Sequence, residues 1–292
     1  MKFSKMHGIG NDYIYVNCFE EDVKEPEKVS VVVSDRRFGI GSDGLVLIMP
    51  SEKADFRMRI FNADGSEAMM CGNATRCIGK YVYDMGLTDK TDITLETNSG
   101  IKYLTLYAEN GKVQSVKVDM GKAILKPADI PVKSDLDVFV AQPVNVNGKE
   151  YKLTCVSMGN PHAVLFTENI DSLDLEKIGP DFENHEIFPN RVNTEFVEVI
   201  DNHTLKMRVW ERGSGETFAC GTGACATVVA SVLNGFCNYD EEILVHLRGG
   251  DLRITYQKDG TVIMNGPATY VFEGTIDDKF LSKEMENVIC RV

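Results

Sequence analysis

Short runs in which apolar residues alternate with polar ones, or stand three or four together, recur along the chain. Examples are Val31-Val32-Val33, Leu45-Val46-Leu47-Ile48, Ile93-Thr94-Leu95, Leu104-Thr105-Leu106, Val116-Lys117-Val118 and Phe196-Val197-Glu198-Val199. Each is closed by Gly, Asp, Asn or Pro, the punctuation expected of strands. Glu109-Asn110-Gly111-Lys112 and Lys258-Asp259-Gly260 mark two hairpins. The period changes in two places. From Cys71 to Tyr83 the apolar side chains at 77, 78, 81 and 82 have helical spacing. From Ala224 to Leu233 the residues are apolar or small nearly all round, the pattern of a helix buried on every side. Gly86 and Gly235 follow where left-handed residues end helices.

These two helices belong to a repeat. Met58-Arg59-Ile60-Phe61, Glu67 and Cys71-Gly72 return as Met207-Arg208-Val209-Trp210, Glu216 and Cys220-Gly221, each pair 149 residues apart without a gap. The same offset carries Gly10-Asn11 onto Gly159-Asn160 and Gly111 onto Gly260. The pattern predicts an α+β (mixed α/β) fold of two pseudo-symmetric domains, each a mixed or antiparallel curled sheet around a central helix. Residues 1–121 form the half carrying Cys71 and 122–274 the half carrying Cys220, with the tail from about 275 to 292 returning to the first. The proline-containing stretch from Lys126-Pro127 to Pro143 is the expected connection.

A length of 292 residues suits two domains, and 43% hydrophobic with 26% charged residues is a globular composition. The net charge of −13 argues against a nucleic-acid binder or a basic membrane-surface protein. No apolar run reaches the roughly 18–20 residues of a membrane span, and MKFSKMHGIGNDY lacks a signal peptide's apolar stretch, so the expected place is the cytoplasm. Eight cysteines without a secretion signal or a CxxC pair, and five scattered histidines, favour neither a disulfide framework nor a metal site.

A cysteine that opens a helix sits against the helix dipole and free N–H groups, which lower a thiol pKa and bring the thiolate within reach of neutral pH. Gly72 and Gly221 let a ligand approach the backbone, and the N–H groups of Gly72-Asn73 and Gly221-Thr222 suit a carboxylate. Two such thiols facing each other about a pseudo-twofold axis can remove a proton from one side of a carbon and return it on the other. For either cysteine alone packing is the commoner role, and Cys18, Cys77, Cys155, Cys225, Cys237 and Cys290 fit it. The pairing of Cys71 with Cys220 reverses those odds. Asn11 and Asn160 are equivalent positions that serve turns or line a pocket. Asn62 and Glu211 are equivalent but differ in type, as an asymmetric substrate requires. His162 can tune a thiol, Arg212 can clamp a carboxylate bidentately, and Asn193 is a further candidate contact.

These strings resemble the diaminopimelate epimerase family: KMHGIGNDY at 5–13, GIGSDGL at 39–45, FNADGSEAMMCGNATR at 61–76, SMGNPHAV at 157–164, FPNRVNTEF at 188–196 and WERGSGETFACGTGACAT at 210–227, with GGDLRI and MNGPATYVFEG beyond. The resemblance implies cofactor-independent interconversion of LL- and meso-2,6-diaminopimelate on the route to lysine and peptidoglycan, in a homodimer. It implies that Cys71 and Cys220 are the acid and base, and that His162 and Glu211 tune them. It further implies that Asn11, Asn62, Gly72, Asn73, Asn160, Asn193, Glu211, Arg212, Gly221 and Thr222 meet the substrate. Gly44, where many members have glutamine, and Ala74-Thr75 depart from the usual pattern. A proline or hydroxyproline racemase is the nearest alternative. It is disfavoured by Asn73 where such enzymes usually have histidine and by the ERGSGET stretch. A redox or metal-thiolate pair is disfavoured by the wide spacing and the absence of CxxC. No lysine stands out for a pyridoxal phosphate Schiff base.

Overall fold

The computed structural model describes residues 1–288, and Cys290 lies outside the described residues. The strands are β1 Lys2–Gly8, β2 Asn11–Asn17, β3 Gly44–Met49, β4 Phe56–Asn62, β5 Glu67–Ala68, β6 Asp92–Thr97, β7 Gly100–Glu109, β8 Lys112–Lys122, β9 Gln142–Val146, β10 Lys149–Ser157, β11 Pro161–Phe166, β12 Asn193–Asp201, β13 Thr204–Glu211, β14 Gly215–Thr217, β15 Glu242–Leu247, β16 Gly250–Tyr256, β17 Thr261–Gly266 and β18 Thr269–Thr275. The helices are α1 Pro26–Ser34, α2 Gly72–Asp84, α3 Leu175–Glu183, α4 Gly221–Leu233 and α5 Asp278–Val288.

The chain divides into two compact units. The first holds Met1–Val118 and the segment from Pro267 onward, the second Asp119–Gly266. In the first, the strands run β18–β1–β2–β3–β4–β6–β7–β8, with β5 hairpinned on β4. All neighbours are antiparallel except β2–β3 and β4–β6. In the second, β9–β10–β11–β12–β13–β15–β16–β17 repeats the arrangement, with β14 on β13 and parallel pairs at β11–β12 and β13–β15. A parallel pair needs a crossover, and α1, α2, α3 and α4 each supply one. The fold is therefore a pair of pseudo-symmetric mixed α/β domains.

The return of the chain begins at Pro267 rather than near 275. In the first unit β18 flanks β1 as its outer antiparallel neighbour. In the second unit β9 does the same for β10. The stretch from Lys126 to Pro143 is not a free connection, because Ile130, Val132 and Phe139 are buried in the second unit's core. Val31-Val32-Val33 lies in α1, not in a strand. Pro26 opens that helix, and Val29, Val32 and Val33 share its buried face against β2 and β3, so burial outweighs the β preference of valine.

Two apolar layers position the site. The outer helices α1 and α3 cover one face of their sheets, and α2 and α4 occupy the other. Every residue of α4 is buried except Thr222 and Leu233, and the helix is wrapped by β10–β13 and β15–β17. Gly179 lets α3 lie directly on Trp210, because a Cβ there would fall 2.2 Å from the indole. Gly179→Ala is expected to destabilise the fold by about 1–3 kcal/mol through overpacking. That exceeds the ~1 kcal/mol an alanine gains over glycine within a helix. Urea unfolding at unchanged m-value checks it, and a stabilised variant would contradict this packing.

Candidate active site

Each unit leads its chain through a pinned hairpin into a cysteine. Arg59 grips Glu67 with Nε at 2.8 Å and Nη2 at 2.9 Å, and Arg208 grips Glu216 at the same two distances. These bidentate pairs fix β4–β5 and β13–β14. Cys71 and Cys220 follow in extended conformation, with φ of −138° and −117°, and cap α2 and α4. Both helices are 13 residues long and end before left-handed Gly86 and Gly235.

Around Cys71, the thiol donates to Asn11 Oδ1 at 3.5 Å. Asn73 Nδ2 donates to the same oxygen at 3.1 Å, and Asn11 Nδ2 donates to Asp43 at 2.8 Å. Asn11 stands at the turn after left-handed Gly10, as Asn160 stands after Gly159. Arg36 bridges Asp12 and Asp43, while Lys5 holds Asp12 from the other side. Burial tends to raise the Asp12 carboxyl, yet Arg36 and Lys5 hold it below its ordinary value. Asp43 is raised by burial and by the Asp12 carboxylate beside it. Asn62 Nδ2 is engaged by Ser66 Oγ at 3.0 Å. Gly44 has no room for a side chain, since a Cβ would lie 2.0 Å from the Phe61 carbonyl oxygen.

Around Cys220, the sulfur accepts from Gly223 N at 3.3 Å and lies 3.5 Å from Thr222 Oγ1. The Glu211 carboxyl engages the thiol and accepts from Thr217 Oγ1 at 2.5 Å. His162 is fully buried between Glu195 Oε1, 2.7 Å from Nδ1, and Asn160 Oδ1, 3.0 Å from Nε2. Asn193 is buried and bridges two segments, donating to the Pro161 carbonyl at 3.0 Å and accepting from Arg212 N at 2.9 Å. Arg212 is exposed, and its guanidinium rests on the Asn190 carbonyl at 2.9 Å.

The electrostatics of Cys220 run opposite to what a helix start alone predicts. Burial pushes the thiol well above its ordinary value, and the carboxylates of Glu211 and Glu195 push it further. Thr222 and the Gly223 amide offset only part of this. Cys220 is therefore a thiol at neutral pH, whose ionisation needs an acceptor for the proton. Among the other cysteines, burial raises Cys77 to about 12 and also raises Cys155, which suits packing rather than reaction.

The sequence reading missed two acids. Glu195 is completely buried, and a Cβ on Gly223 would meet its Oε1 at 2.7 Å. It shares a strand face with Asn193, and the equivalent position holds Val46, so a charge in place of an apolar residue was the available signal. Asp43 belongs to the cysteine-bearing half but lies 28 residues before the thiol.

The chain matches the family profile described as diaminopimelate epimerase over residues 3–126 and 154–271. The chain belongs to this family. A diaminopimelate epimerase from Acetivibrio thermocellus is 63% identical over 95% of this chain and 99% of its own length. One from Agathobacter rectalis is 60% identical over 95% and 99%. A probable proline racemase from Agrobacterium radiobacter, solved with bound carbonate, superposes with a TM-score of 0.73 at 13% identity, covering 95% of this chain and 93% of that one. That last likeness is one of fold.

Proposed function

We propose that this protein interconverts LL- and meso-2,6-diaminopimelate without a cofactor, using Cys71 and Cys220 as the two acid-base groups, in a homodimer of the cytoplasm that feeds lysine and peptidoglycan synthesis. The observation that carries the reading is the paired helix start, a cysteine in extended conformation capping α2 and α4 at the same repeat position. The names borne by relatives about 60% identical over nearly the whole chain support the substrate.

In this reading one sulfur, as thiolate, takes the α-proton and becomes a thiol, and the other thiol returns its own proton to the opposite face and becomes a thiolate. The proton count closes, and the pair ends ready for the reverse direction. The N–H groups of Gly72, Asn73, Gly221 and Thr222 hold the substrate carboxylate and stabilise the enediolate-like charge as the proton leaves. Asn11, Asn62, Asn160 and Asn193 orient the amino acid. Arg212 and Glu211 suit the distal charged end and the tuning of Cys220, together with His162. No step calls for a pyridoxal or a metal.

Incubation of LL-diaminopimelate in deuterated water, followed by NMR, tests this. One deuteron at one α-carbon with formation of the meso isomer is the expected result. Exchange of proline or hydroxyproline instead would keep the thiol pair and discard the substrate. Exchange of no amino acid would overturn the proposal.

A further inference from the structure

Side-chain amides are ambiguous until something that only donates or only accepts fixes them. Around Cys71 both kinds of anchor are present. The fully buried Arg76 can only donate, and its Nη2 lies 2.9 Å from Asn73 Oδ1. The other end of that amide, Nδ2, therefore points at Asn11, where it meets Oδ1 at 3.1 Å. The remaining Asn11 atom, Nδ2, faces Asp43 Oδ2 at 2.8 Å, and a carboxylate can only accept. The relay from Arg76 through Asn73 and Asn11 to Asp43 is consistent in one orientation only. Its outcome is that Asn11 presents an acceptor, not a donor, to the Cys71 sulfur.

Asp43 is itself fixed. Its Oδ2 also accepts from Asp12 N at 3.0 Å, its Oδ1 takes Arg36 at 2.9 Å, and its backbone joins Asp12 O at 2.7 Å and Ala63 N at 3.0 Å. It ties the turn before β2 to the end of β4. Among the described residues of its unit, Tyr15 from β2 and Cys77 from α2 interact electrostatically with Cys71, and Arg76 lies on the same helix as Cys77. Beyond Asn11 stand Asp43, Asp12, Arg36 and Lys5. None of these but Asp43 touches the free end of the Asn11 amide.

We infer that Asp43 is a positioning residue that locks the Asn11 amide oxygen toward Cys71 and so favours the proton-donating thiol over the thiolate at that cysteine. The inference rests on the two-cysteine reading for its role in turnover, but the thiol chemistry it predicts needs no substrate. An amide oxygen at 3.5 Å can accept from S–H and repels S⁻, whereas a flipped amide would donate to S⁻. Without Asp43 the Asn11 amide loses one of its two anchors, and only the Asn73 amide still opposes its turning over.

The test is the pH dependence of Cys71 alkylation by iodoacetamide, read by mass spectrometry of its peptide, in wild type, Asp43→Ala and Asp43→Asn. In Asp43→Ala the midpoint for Cys71 is expected to fall by about one unit, because the sulfur gains a donor in place of an acceptor. Asp43→Asn still offers one amide oxygen to Asn11 Nδ2 and Asp12 N, while the largely exposed Arg36 can swing away. Its midpoint is expected to match wild type, although the charge is gone. A purely structural ion-pair role predicts the reverse, with both variants alike and melting temperature lost without any midpoint shift. Unchanged midpoints in a folded Asp43→Ala protein would overturn the inference, as would equal shifts in the two variants. If Asp43→Ala does not fold, Asn73→Leu, which frees Asn11 from the other end, is expected to lower the same midpoint, and no change there would also overturn it. A shift in midpoint with no exchange of diaminopimelate would sink the substrate and leave the positioning role standing.

Discussion

Serine in place of either cysteine is expected to lower epimerisation by about 10²–10⁴-fold, the range of a lost acid-base group. The reason is the acidity of the atom. Even where burial raises it, as at Cys220, a thiol yields its proton to a neighbouring acceptor far more readily than a hydroxyl does. Cys220 is 5% exposed and packed beneath Gly223, so the smaller hydroxyl fits without disturbing the helix start. The two variants are further expected to differ in a stereochemical way. With one thiol left, the remaining sulfur can take a proton only from its own face and give a solvent deuteron back to that face. Cys71→Ser should then exchange the α-hydrogen of one isomer, Cys220→Ser that of the other, both with retention. NMR of LL- and meso-diaminopimelate in deuterated water reads this directly. Loss of exchange for both isomers in both variants would mean that the thiols do not act as independent bases on opposite faces. Full turnover in either variant would remove that cysteine from the chemistry altogether.

What the sequence made legible follows from the kinds of pattern it can hold. A repeat at constant offset fixes equivalent elements, so α2 and α4, their terminal glycines and the hairpins at Gly111 and Gly260 are legible in the chain itself. The cysteine pair was legible for the same reason. Three things were not. The run of valines at 31–33 reads as a strand locally, and only its packing on β2 and β3 makes it a helix. The tail was expected to return to the first half from about 275, but the pairing of β18 with β1 begins before that, at Thr269, which no local pattern announces. The stretch near Ile130 and Phe139 looks like a linker by its prolines and charges, while its few apolar residues are anchored in a core. The site shows a similar division. Residues adjacent to each cysteine were visible, but Glu195 and Asp43 reach it through tertiary contact, and each acts on a neighbour that was visible, His162 and Asn11. The direction of the Cys220 pKa was missed on the same ground. A helix start is a local feature, whereas the burial and the two carboxylates that outweigh it come from the surrounding strands.

Glu211→Gln is expected to change thiol reactivity and turnover in opposite directions. The Glu211 carboxyl is raised above its ordinary value, chiefly by burial, with Thr217, Cys220 and His162 pulling it back and Glu195 adding to the rise. Its charge in turn is one of the causes that lift Cys220, after burial. Removing that charge leaves burial and Glu195 in place, so the Cys220 pKa falls without returning to its ordinary value. Cys220 alkylation at neutral pH should quicken several-fold, and its midpoint should move to lower pH. Turnover should nevertheless drop by about 10²-fold, because glutamine cannot take the thiol proton that a carboxylate can. Glu211→Asp supplies the control. It keeps a charge but shortens the reach, so Cys220 should stay as slow to alkylate as in wild type while turnover falls. Peptide-resolved alkylation across pH, run beside the NMR assay, separates the two effects. If Glu211→Gln alkylates no faster than wild type, the carboxylate is not what holds Cys220 in its protonated form, and burial alone must account for it. If the same variant turns over at the wild-type rate, the proton leaves Cys220 by another path, and the His162–Glu195 pair on β11 and β12 is the group left to carry it.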